Sequence, residues 1–378
     1  MRIKKISLEG DLSRFGGRTL VVATDKGIIR TPNRTLTSQE IQFKAKLPFE
    51  PPLNNEISEI VSKFDVNSWD NFMKKNGPFD SRLSKLMFFT DKMGYTLKRY
   101  FPDIASEITM NDPGIKQLIV LQSMSDLDFI SLPTLKGYSK NFKDICCGFA
   151  EEVLSLKREP LIYLDMGLKP EIFAKKYNDL VEFSKNDLIK SIGLIYRPIR
   201  TNILNYRFLW ENRGNKIFLQ MSGVSREYSR RAPIPTMHLL QKFGIDSFSV
   251  KMGMFFWNAK ETQPLPELIN KTKRLDQEPL RFERFEKWKH KSLNCNCPIC
   301  KNKNAEKFIE KYKGPEDYPG QTFSSANRLH EFYTSIEEFK ESQKFIHSGE
   351  LEDYFKKKEG LKSADIPISK TKKLNEFK

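Results

Sequence analysis

Apolar positions along this chain fall into two rhythms. Short apolar runs of strand length occur at Thr19–Thr24 and at residues 127–132, 160–164, 189–196, 216–221 and 245–250. Between them, at 170–184 and 235–243, apolar residues return every three or four positions, the period of an amphipathic helix. Strand and helix alternating over such a length predict parallel strands joined by helical crossovers. By their number they predict a closed barrel, so the expected fold class is α/β, a TIM (β/α)8 barrel. The first run leads through Asp25-Lys26-Gly27 into residues 28–32, a hairpin. Residues 45–58, rich in proline and asparagine, read as loop, and 55–75 carries a helical pattern. Lys85-Leu86-Met87-Phe88-Phe89 reads as a short strand with Thr90 and Asp91 at its end. A carboxylate there stands where barrel enzymes keep their chemistry, although a helix N-cap would also use one.

A later helical pattern runs through Leu329, His330, Phe332, Tyr333, Ile336, Phe339, Phe345 and Ile346. It stops at Ser348-Gly349, where glycine suits a helix end. Ahead of it lies Cys295-Asn296-Cys297-Pro298-Ile299-Cys300. A turn of that spacing presents three thiolates to one metal, and a histidine from a following helix completes a tetrahedron. His330 is the favoured fourth ligand, with His347 and His290 as rivals. Four protein ligands leave no place for water, so the expected cofactor is a structural Zn2+. Three free thiols on a loop are the plainer alternative.

Charge narrows the partner. Of 378 residues, 64 are Lys or Arg and 48 are Asp or Glu, giving +16 and a pI near 9.4. Such a surplus fits a polyanion, most simply nucleic acid, or else a well-solvated basic surface. Residues 258–291 concentrate it, with Arg281, Arg284 and Lys287 interleaved among Phe282, Phe285 and Trp288. That mixture suits a nucleic-acid strand, and equally an amphipathic helix packing its aromatics. No Gly-x-Gly-x-x-Gly or Walker sequence supports a nucleotide cofactor. Five cysteines, three of them clustered, argue for a reducing compartment, and adjacent Cys146-Cys147 read as buried rather than paired. With neither a signal peptide nor a membrane span, the expected location is the cytoplasm, or a host cytoplasm for a phage-encoded chain. The expected organisation is a barrel over 1–290 with the basic insertion at about 258–291, a zinc-binding subdomain and C-terminal helix over 291–360, and a basic tail at 361–378.

The cysteine loop, His330 and the helix ending in Gly349-Glu350-Leu351 together resemble the zinc motif of the tRNA-guanine transglycosylases. His330 keeps the family's interval to that glycine, and His347 does not. Gly27-Ile28-Ile29-Arg30-Thr31-Pro32 is similar to the family's opening Gly-x-Ile-x-Thr-Pro. Asp91, with Gly94-Tyr95, matches the family's Asp-Ser-Gly-Gly-Phe-Gln, whose aspartate handles the proton. The stretch Gly244-Ile245-Asp246-Ser247-Phe248-Ser249-Val250 resembles Gly-Val-Asp-x-Phe-Asp-x-Val, whose second aspartate is the nucleophile. Here that position is Ser249, so either Asp246 takes over or the covalent chemistry is lost.

The resemblance implies a zinc-stapled barrel that exchanges guanine for a 7-deazaguanine base through a covalent aspartyl-sugar intermediate. Asp91 and Asp246 would be catalytic, and Asp165, Ser249, Gly94 and Arg197 would contact substrate. Asp165 could also cap its own loop, and Arg197 could form a surface ion pair. No Pro-Thr-Arg stretch follows the nucleophile position, and the expectation is that no RNA-binding domain follows the zinc helix. The expected partner is therefore DNA, with tRNA the alternative, in a homodimer or with a partner protein. A catalytically silent zinc-barrel subunit that binds nucleic acid is the reading from another class.

Overall fold

The computed structural model describes residues 2–10, 14–38, 40–41, 57–74, 79–93, 96–104, 113–135, 141–225, 227–228, 233–251, 265–288, 293, 295–301, 303–313 and 321–364. Its centre is parallel. Six strands lie in the spatial order Asn33–Arg34, Ser247–Val250, Phe218–Val224, Ser191–Ile195, Glu159–Asp165 and Phe129–Leu132. A second parallel sheet runs Leu36–Thr37, Ile57–Phe64, Leu97–Ile104. The two sheets meet at both edges. Residues 33–37 serve both, with Thr35 N donating to Phe248 O at 2.8 Å. On the far side Asp128 N donates to Lys98 O at 2.9 Å, and Lys98 N to Asp128 Oδ2 at 2.8 Å.

Helices Pro113–Ser123, Phe142–Ser155, Pro170–Lys185 and Ile203–Glu211 connect successive strands. Their apolar stripes, such as Phe173, Tyr177 and Leu180, are fully buried against the sheet. The side chains pointing to the other side of the strands form a separate apolar layer of Ile57, Leu97, Phe129, Leu161 and Phe218 at the strands' amino ends. An antiparallel three-stranded sheet, Ile3–Glu9, Thr19–Thr24 and Gly27–Arg30, adds Ile3, Leu20, Val22 and Ile29 to this layer and closes that end.

Polar contacts fasten the cover. Ile3 N donates to Glu159 Oε2 at 3.0 Å, Lys190 Nζ to Ile3 O at 2.9 Å, and Lys26 pairs with Asp128 at 2.9 Å. Burial, only partly offset by Ile3 N and the charge of Lys190, pushes the Glu159 carboxyl up to about 7 from its ordinary 4.5. Between those values the folded chain holds a proton that the unfolded chain releases, so stability falls as pH rises from about 4.5 to about 7 and then levels. Denaturant melts across that range are expected to show this decline, and Glu159→Gln, which cannot titrate, is expected to flatten it.

Two segments depart from the sequence pattern. Residues 85–89 are not a strand but part of the helix Phe79–Lys92. Leu86, Phe89 and Thr90 are buried at helical spacing, while Met87 and Phe88 are half exposed. The helix read at 55–75 is a strand at Ile57–Phe64 and begins only at Val66, where the side chain of Asp65 accepts from Ser68 N at 2.7 Å. Leu97–Ile104, hidden by Lys98 and Arg99, is a strand that periodicity did not single out.

The C-terminal part is helical. Helix Gln321–His347 spans 27 residues and ends at Gly349, whose φ of +75° suits glycine. The apolar core is continuous from the helices around the sheet to Phe285, Phe308 and Phe323 beside the cysteine loop. Phe282, Phe285 and Trp288 of the basic segment are buried there, so packing is their role. Residues 252–264, 289–292 and the tail at 365–378 lie outside the described residues. Among the described residues no helix is long and apolar enough to cross a membrane.

Candidate metal centre and strand-end cavity

Cys295, Cys297, Cys300 and His330 come together, their ligand atoms all within 4.8 Å of one another. The turn is tight: Cys297 O accepts from Cys300 N at 3.0 Å and from Lys301 N at 2.9 Å. His330 projects from the long helix with Nδ1 at 3.4, 3.5 and 3.4 Å from the sulfurs of Cys295, Cys297 and Cys300. Its Nε2 lies 2.8 Å from Leu275 O and donates to it, which fixes the tautomer and leaves the Nδ1 lone pair for a metal. Thiolates on one tetrahedral zinc sit about 3.8 Å apart, so this donor set fits a single ion. The sequence-predicted ligands are thus the ones the structure groups. His347 ends the helix away from the cluster, and His290 lies outside the described residues.

The second site lies at the carboxyl ends of the parallel strands, where connecting loops leave room for a ligand. A cavity of about 310 Å3 opens there. Its walls are Thr37 and Ser38, residues 61–63, Phe101 and Asp103, residues 195–197, Ser222 and Gly223, and Val250 and Lys251. Arg82 and Lys85 reach in from helix Phe79–Lys92. Five cations, Lys63, Arg82, Lys85, Arg197 and Lys251, surround two carboxylates, Glu59 and Asp103. Asp103 is partly exposed, and Glu59 is fully buried at the floor.

The floor is a buried polar network. Glu59 Oε1 accepts from Ser249 Oγ at 2.5 Å, and Oε2 accepts from Ser222 Oγ and pairs with Arg99 at 2.8 Å. Arg99 also donates to Gln220 Oε1 at 2.8 Å, and Tyr163 OH lies 3.1 Å from Ser222 Oγ. Tyr163 reaches this point because Gly193 gives its ring space: a Cβ there would come within 2.5 Å of the ring. Interior positions of five strands thus deliver complementary polar groups to one level.

The predicted catalytic pair does not assemble. Asp91 is exposed in the last turn of helix Phe79–Lys92, not at a strand end. Asp246 precedes strand Ser247–Val250 at its amino end, facing away from the cavity. There it is fully buried, with Arg18 Nε donating to Oδ1 at 3.0 Å, Arg18 Nη2 to Oδ2 at 2.5 Å and Leu219 N to Oδ2 at 2.8 Å. It joins the hairpin cover to the sheet. Burial pushes its carboxyl up, opposed first by the charge of Arg18.

Of the predicted substrate contacts, Arg197 lines the cavity and Ser249 meets its floor through Glu59. Asp165 is taken up by Arg197, at 2.9 and 2.6 Å, and by Gly167 N at 2.7 Å. It is therefore a clamp on Arg197 rather than a free acceptor, and its hydrogen bond holds the guanidinium above its ordinary range. Gly94 lies outside the described residues.

Sequence reading missed Glu59, Arg99, Asp103 and Ser222. Their signal was faint. Ile57-Ser58-Glu59-Ile60-Val61 carries β-branched residues typical of a strand, and Pro102-Asp103 closes an apolar run. No protein-family model matches the chain, and no curated protein does either.

Proposed function

We propose that this chain is a zinc-stapled (β/α)8 barrel that acts on nucleic acid, exchanging a base at the sugar through the cavity at its strand ends. Two parallel sheets meeting at both edges support the barrel reading, which counts eight strands with residues 33–37 taken once. Zinc is the metal a Cys3His set with no open position holds structurally.

The observation that carries the function is a pair of carboxylates lining one cavity among five cations. The cations suit the phosphates of a strand whose target nucleotide has left its stack. Base exchange at an anomeric carbon needs one carboxylate to attack the sugar and another group to protonate the departing base. Asp103, partly exposed at the end of Leu97–Ile104, is placed for proton transfer. Glu59 is the remaining carboxylate. To attack, it must shed the hydroxyl of Ser249, which stands where the motif it resembles carries a nucleophilic aspartate. The proposed partner is DNA and the incoming base a 7-deazaguanine.

The burial of Glu59 and its pairing with Arg99 favour a second reading, a barrel that binds nucleic acid without exchange. One experiment separates them. Purified protein is incubated with duplex DNA or tRNA and a labelled deazaguanine, and incorporation and covalent adducts are measured. Base exchange predicts label in DNA, lost by a factor of 100 or more in Asp103→Asn and Glu59→Gln, with Asp91→Ala unaffected. Label in tRNA alone rejects the DNA assignment. Binding with neither label nor adduct leaves the silent reading.

A further inference from the structure

Arg274 is fully buried in strand Lys273–Asp276, yet among the described residues no carboxylate forms an ion pair with it. Every other fully buried arginine among the largest core side chains has one: Arg18 has Asp246, Arg34 has Glu40, and Arg99 has Glu59. Arg274 instead directs Nη2 at Cys300 Sγ, 2.8 Å away, and comes within 3.1 Å of His330 Nδ1. Its guanidinium lies 5.2 Å from the ring centre of Phe308 and 5.9 Å from that of Phe285, which shut out water. A buried guanidinium without a counter-charge costs several kcal/mol, so its partner has to be sought in this cluster.

A divalent ion held by three thiolates and a neutral imidazole carries one net negative charge. With the lone pair of His330 Nδ1 given to the metal, the thiolate of Cys300 is the acceptor left for Arg274. We infer that Arg274 is the counter-ion of the metal centre, a positioning residue whose charge-assisted hydrogen bond to Cys300 Sγ neutralises the ligated site and damps the nucleophilicity of that sulfur. One face of the ion's ligand shell is thereby closed by strand Lys273–Asp276, whose Leu275 O also orients His330. The same two-residue stretch of strand then sets both the charge and the tautomer of the centre.

The test uses the full-length chain loaded with zinc, as wild type, Arg274→Met and Arg274→Lys. Zinc affinity is measured by competition with a chromogenic chelator, and alkylation of Cys300 in the loaded protein by mass spectrometry. Arg274→Met is expected to lose ten- to a hundredfold in zinc affinity and to alkylate faster at Cys300. Arg274→Lys, which keeps the charge, is expected to recover most of both. Should Arg274→Met fail to fold, Arg274→Gln takes its place in the comparison with lysine. Affinity and alkylation within twofold of wild type in the uncharged variant, or a lysine variant no better than it, overturns the assignment.

Discussion

Asp246→Ala is expected to lower folding stability by about 3–5 kcal/mol, the cost of leaving a buried charge without its partner. Arg18 is fully buried, and among the described residues it donates, besides Asp246, only to carbonyls, at 2.8 Å to Arg213 O, 2.6 Å to Asn215 O and 2.7 Å to Ile217 O. Those oxygens carry partial charge only. The loss also frees Leu219 N and weakens the join between the hairpin cover and strand Ser247–Val250. Urea melts measure the effect directly. The double replacement Arg18→Met with Asp246→Leu is expected to regain a good part of it, since neither charge is then stranded. A nucleophile would behave otherwise: Asp246→Ala would melt like wild type and fail only in adduct formation.

Removing the metal is expected to have the other large effect. Three thiols and an imidazole crowd one point among buried side chains, and without an ion to share them the sulfurs repel as thiolates or strain as thiols. Metal–ligand binding energy is folding energy where the site forms only in the folded chain. Cys300→Ser, or dialysis against a strong chelator, is expected to lower the thermal midpoint by about 10 °C or more. The loss is expected to fall first on residues 295–301 and helix Gln321–His347, which carry the ligands. Hydrogen exchange locates it, and elemental analysis of the native protein is expected to give one zinc per chain. Unchanged exchange in that helix after complete zinc removal would refute a structural role.

Legibility differed sharply between the two sites. The Cys3His cluster was readable because its spacing is local: three of its members fall within six residues, and the fourth lies in a helix whose period and glycine stop are visible. The strand-end cavity was not. Glu59 and Arg99 are charged residues inside parallel strands, and a charge in a short run reads as helix or loop until a partner is known. Each is tolerable only because the other lies 2.8 Å away across a parallel strand pair. Asp91 misled for the opposite reason. An apolar run followed by an aspartate looks like a strand end, but burial at Leu86, Phe89 and Thr90 follows a helix face. Asp246 was found by its motif, yet a motif does not say at which end of the strand a side chain sits.

The sequence alone determined the alternation of strands and helices from residue 127 to 250, the basic surplus and the three clustered cysteines with His330 as their favoured companion. Each is a matter of spacing or composition, which a linear chain carries in full. Only the tertiary structure decided which carboxylates share a cavity and which are tied to arginines. Whether a charge is at work or merely neutralised depends on what stands 3 Å away, and several of those neighbours come from residues a hundred or more positions apart, as Arg18 with Asp246, Arg99 with Gln220 and Ser249 with Glu59.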